Sequence, residues 1–223
     1  MVSGIALDDC KEAQTKVCAT NYACAKFTPM KNRRLLSTML FGILLLSAAC
    51  AGSLFKVKPV IELPPLADNA RSASAGGVTI RVAPLLTDEE SQDLFEANLP
   101  LGGILPVRLD FDFESGVPVE IKRARFHLID AAGKEWKLLS SKAAVARILK
   151  ANDVYAYNPN SRKQFEKEFS AYAIDLARPL SAGDRRRQGF LFFETPKKEP
   201  VASQPGLILR VDHLPQPIEI KLN

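Results

Sequence analysis

The chain has 223 residues, 47% hydrophobic and 25% charged, which is enough apolar material for one packed domain with additions and excludes a disordered chain. The formal charge of +5 belongs largely to the N-terminus: residues 1–49 carry Lys11, Lys16, Lys26, Lys31, Arg33 and Arg34 against Asp8, Asp9 and Glu12, leaving 24 Lys/Arg and 22 Asp/Glu in the remainder. A body this close to neutral argues against a nucleic-acid partner. Cys10, Cys18, Cys24 and Cys50 are all the cysteines, so the last 173 residues can hold no disulfide, and with His127 and His213 as the only histidines no Cys/His zinc site and no cofactor is expected.

In chain order, residues 1–29 are mixed in charge, and their cysteine spacings match no metal pattern. Met30-Lys31-Asn32-Arg33-Arg34 is a basic cluster, followed by fifteen uncharged residues, 35–49, that close on Ser47, Ala48 and Ala49. This is the order of a secretory signal, and the apolar run is short for a hydrocarbon core of about 30 Å. Met30 is the expected true start, with residues 1–29 an extension ahead of it.

Ser47-Ala48-Ala49-Cys50 resembles the lipobox of bacterial lipoproteins, with serine where leucine is commoner. The resemblance spans residues 30–50. It implies that the Cys50 thiol takes a diacylglycerol, that signal peptidase II cuts between Ala49 and Cys50, and that the new amino group receives an acyl chain such as palmitate. Several chains at about 0.8 kcal/mol per buried CH₂ hold a domain on a bilayer where one would not. Ala51, rather than the retention signal aspartate, implies the outer membrane facing the periplasm in a cell with two membranes. The alternatives are an uncleaved signal anchor, or a conventional cleavage with Cys50 incidental.

Residues 50–77 hold Pro59, Pro64 and Pro65 and then a Ser/Ala/Gly stretch, which reads as a tether reaching about 90 Å at full extension. The alternative is that residues 57–66 dock as an edge strand. From Val78 onward, period-two alternation marks strands: Val78, Ile80 and Val82; then Leu105, Val107, Leu109, Phe111 and Phe113. Val119 and Ile121 change parity against Ala124, Phe126 and Leu128, which suggests a bulge near Lys122 and Arg123. Asp130-Ala131-Ala132-Gly133 reads as a hairpin turn, residues 189–193 are apolar on both faces, and 207–211 and 218–222 are the last strands. About seven strands argue for a mainly β fold, an antiparallel Ig-like β-sandwich over residues 78–223 without the immunoglobulin cysteines. The PLSAGD lead-in to GFLFFE is similar to that of bacterial extracytoplasmic Ig-like domains.

A helical insertion is expected at about residues 140–178. Ala144, Val145, Ile148 and Leu149 form a stripe on its first helix, and a Ser161–Gln164 capping box opens its second. A further capping box, Thr87–Glu90, marks a short helix ahead of them.

The polar loop between the two insertion helices offers Tyr155, Tyr157 and Asn158, residue types suited to recognition of a protein or glycan. The alternative is that the tyrosines pack the insertion down. Asp110, Asp112 and Glu114 lie too far apart along a strand for one metal ion and read as a charged solvent face opposite Lys122, Arg123 and Arg125. Arg185-Arg186-Arg187 reads as a solvated turn in preference to an anion site, and His127 falls on the polar parity of its strand. No nucleophile, phosphate-loop or metalloprotease motif is present in the sequence. The expectation is a lipid-anchored envelope protein with a non-catalytic binding or scaffolding domain. An envelope hydrolase and an assembly partner of an envelope complex are the alternatives.

Overall fold

The computed structural model describes residues 54–66, 70–201 and 206–223. By its contacts the chain divides into two units, Met1–Ala49 and Cys50–Asn223, and every described residue belongs to the second. The signal-like segment, the Ala49–Cys50 bond and Cys50 lie outside the described residues.

Eight strands form one antiparallel sheet: β1 (Arg71–Ala75), β2 (Val78–Pro84), β3 (Ile104–Phe113), β4 (Arg125–Ile129), β5 (Glu135–Leu139), β6 (Arg186–Glu194), β7 (Ile208–Asp212) and β8 (Ile218–Lys221). Their order is β1-β2-β3-β6-β5-β4-β7-β8. β5 turns the corner, pairing Glu135 and Trp136 with β4 and Lys137 to Leu139 with β6. The end strands β1 and β8 come into contact, so the sheet is nearly closed and barrel-like. The mainly β, antiparallel expectation holds. The strand count is eight where about seven were expected, and the ladder is continuous where two separate sheets were expected.

Alternation explains the inner core. Ile80, Val82, Leu109, Phe111, Leu128, Trp136, Phe193 and Val211 are all buried inside the curled sheet. The change of parity after Ile121 is real, but its cause is a tight turn: Ala124 N donates to Ile121 O at 3.0 Å, and Val119, Ile121, Ala124 and Phe126 are all buried. The Asp130 turn forms as read, with the Asp130 carboxylate accepting from the amides of Ala132 and Lys134 at 2.9 Å each.

The residues read as a tether belong to the domain over 54–66 and 70–77. Arg71 to Ala75 ladder with β2. Upstream, Val57 and Leu66 are buried, Val60–Glu62 is a 3₁₀ turn, and Lys58 N donates to Leu94 O at 2.9 Å. This strap docks, but not as the edge strand weighed above, because Pro59, Pro64 and Pro65 deny it a run of amide donors.

Among the described residues three helices cover the outer face of β3, β5 and β6: α1 (Asp88–Phe95), α2 (Ser141–Ala151) and α3 (Pro159–Ser170). The Thr87–Glu90 capping box forms with both of its bonds. α3 starts earlier than the Ser161–Gln164 pattern implied. Asn158 caps it by accepting from Asn160 N, Pro159 occupies its first turn, and Ser161 is buried. Between helices and sheet lies a second core, rich in aromatic rings, that includes Phe95, Phe165, Phe169, Tyr172, Phe190 and Phe192.

Candidate functional site

The polar loop does not converge on a site. Tyr155 is exposed, and its hydroxyl donates to Asp153 at 3.1 Å. Tyr157 is half-buried against the second core and accepts from Arg162 Nη1 at 2.6 Å, with that guanidinium over its ring. Asn158 is occupied as the cap of α3.

The charged residues of β3 and β6 are also structural. Asp110 is buried and takes both Arg186 Nε and Nη2, at 2.9 and 2.7 Å. The cross-strand partners of β3 are therefore β2 and β6 and not the 122–125 segment, since β4 lies two strands beyond β6 in the sheet. Glu114 accepts from Thr79, so the carboxylates serve different partners. Arg185 and Arg186 are exposed, as a solvated run would be, although Arg185 also donates to Phe113 O; Arg187 is buried and donates to Asp184 and to Asp175 O. His127 lies in a cross-strand row, with Nδ1 2.6 Å from Glu135 and Nε2 3.6 Å from Asp212.

A recess lies where the strap and α1 pass over the sheet. It is a cavity of about 260 Å³. Leu63 and Leu66 of the strap, Leu94 of α1 and Phe190 of β6 supply apolar walls, and Arg108 of β3 lies at its base. Arg108 is only 7% exposed. Its Nη2 donates to Gln188 at 3.2 Å, and its Nε is buried without a partner among the described residues. Burial holds this guanidinium below the usual arginine range, partly offset by Asp110.

Alternation puts Arg108 on the same face of β3 as Asp110, the face read above as charged and solvated. One signal pointed the other way: residues 189–193 are apolar on both faces, and a sheet covered on both sides buries the polar parity of the neighbouring strand as well.

Tyr172 ties the strap down. Its hydroxyl donates to Lys58 O at 2.5 Å. Burial, with help from Glu62 and Asp93, pushes its phenol up to about 12. In the unfolded chain the phenol titrates near pH ~10. The folded value is raised, so its contribution is complete below pH ~10 and is lost as pH climbs toward the folded value. Denaturant titrations across this alkaline range should show stability falling more steeply in wild type than in Tyr172→Phe. Parallel pH profiles would show that Tyr172 ionises freely.

No family model, no curated protein and no solved structure matches the chain.

Proposed function

We propose that the chain is a lipid-anchored cell-envelope protein whose domain is a non-catalytic binding or scaffolding module. The observation that carries this reading is Ser47-Ala48-Ala49-Cys50 at the end of a basic-then-apolar signal pattern. The mature chain would begin at Cys50, with diacylglycerol on its thiol and an acyl chain on its amino group, and would face the periplasm from the outer membrane in a cell with two membranes. Among the described residues no helix is long and apolar enough to cross a membrane.

The docked strap sharpens this reading. Leu54 and Phe55 already pack on the second core, four and five residues after Cys50. Four residues span at most about 14 Å. The lipid would therefore hold the strap end of the domain against the bilayer instead of letting the domain range over tens of ångströms. In architecture we read the domain as an Ig-like sandwich drawn nearly shut, with β1-β2-β3-β6 facing β4-β7-β8 and β5 joining them.

A hydrolase would need free, convergent carboxylates in a recess. Glu90 and Asp93 reach the cavity, but Glu90 accepts from the Leu86 and Thr87 amides and Asp93 pairs with Lys58.

Cys50→Ser should abolish acyl-chain labelling, leave the precursor uncleaved and release none of the mature form. Normal maturation and membrane recovery of that variant would overturn the lipid anchor.

A further inference from the structure

We propose that the cavity under the strap binds a small aliphatic carboxylic acid as its anion, the carboxylate paired with Arg108 and the chain lying on Leu63, Leu66, Leu94 and Phe190. This rests on the reading of the domain as a binding module and is independent of the lipid anchor.

The first argument is charge. A guanidinium stays protonated in proteins, so burying Arg108 buries a positive charge, which is costly without a counter-ion. Among the described residues no carboxylate bonds to it. Asp110, two residues along the same strand face, is held by Arg186 through two bonds. Glu90 is committed to the start of α1 and Asp93 to Lys58. Gln188 is the neutral partner of Arg108, and the Nε remains unsatisfied. A bound carboxylate would supply the missing counter-charge beside the guanidinium; the enclosed Nε itself lies out of its reach.

The second argument is shape and valence. The cavity is mostly apolar, and at about 260 Å³ it sits below the usual range for drug-sized ligands, which fits a short chain. Among the described residues that line it Arg108 is the one cation, and Glu90 and Asp93 are both close by. Two carboxylates beside one guanidinium penalise a phosphate dianion more than a singly charged carboxylate, and Asp93 is already paired with Lys58.

Purified full chain titrated with octanoate by calorimetry should show saturable one-to-one binding. Octanol, which has the same chain and no charge, should bind about tenfold or more weakly, and octyl phosphate should gain nothing over octanoate. Arg108→Met keeps an apolar stem and removes the charge. It should fold, as judged by its melting transition, and lose octanoate affinity by about tenfold or more. Leu63→Trp leaves Arg108 in place and fills the recess from the half-buried strap, and it should lose octanoate and octanol alike. No saturable octanoate binding, equal binding of octanol, tighter binding of octyl phosphate, or retention of octanoate in either variant would overturn the proposal. Acyl labelling at Cys50 is read on the same preparation, so failure of the cavity and failure of the anchor remain distinguishable.

Discussion

Replacing Phe95 with alanine should cost the domain about 3–5 kcal/mol, read as a shift in the denaturant midpoint at unchanged slope. Phe95 is the last residue of α1 and is completely buried. Its ring meets those of Phe169, Tyr172, Phe190 and Phe192 at centroid distances of 5.2, 5.0, 5.9 and 6.2 Å. Those rings come from α3, the segment after it and β6, so one side chain joins the helical layer to the sheet. Surrounding rings held on separate elements cannot all collapse into the space left by alanine. A loss of this size is a large part of the 5–15 kcal/mol that a domain commonly holds. Phe95→Leu fills more of the gap and should lose less than half as much. Trp136, the only tryptophan, lies in the other core across the sheet. Its fluorescence transition should move with the loss of helix if the two cores unfold together. A change below about 1 kcal/mol would mean that the helical layer is not packed on the sheet as described.

Gly189→Ala is the second large effect, expected at about 3 kcal/mol, the upper part of the usual overpacking range. Gly189 pairs with Leu109 of β3 on one side. On the other, the chain leaving α3 runs alongside β6: Phe190 N donates to Tyr172 O at 2.7 Å and Ile174 N to Phe190 O at 3.2 Å. A Cβ at position 189 would sit 2.5 Å from Ile174 Cα and 2.7 Å from Ile174 N. Those are backbone atoms, so relief requires the 172–174 segment to move away and lose both hydrogen bonds. Glycine is required here for space, not for an unusual backbone angle. Hydrogen exchange should show the Ile174 amide losing protection first in this variant. Wild-type stability with intact protection at Ile174 would refute the close approach.

Much of the local structure was legible. Alternation located seven of the strands, the Thr87–Glu90 box opened α1, and the apolar stripe of Ala144, Val145, Ile148 and Leu149 became the buried face of α2. β1 was missed because Arg71-Ser72-Ala73-Ser74-Ala75 has too little apolar contrast to mark a strand, and it forms by laddering on β2. The strap was missed because proline marks an extended chain without saying whether that chain is free or docked. The second capping box misled because Ser161 lies in the first turn of α3 with Asn158 and Pro159 already ahead of it, and the earlier cap takes the helix start.

The candidate cavity was legible only in outline. Alternation along β3 puts Arg108 and Asp110 on one face, and so far as one strand can say, that face meets water. β6 lies 80 residues further on, and it settles the matter by giving Asp110 its partner while placing Phe190 beside Arg108.

The sequence by itself determined the periods, the Asp130 turn, the Thr87–Glu90 cap and the basic-apolar-cysteine order at the N-terminus, because each of these depends on neighbours within a few residues. Only the tertiary structure decided which polar face is buried, which charges find partners and that the residues after Cys50 strap down instead of swinging free. Those outcomes depend on what lies across a strand pair or beneath a helix, and desolvation acts on a side chain according to that surrounding rather than its position in the chain.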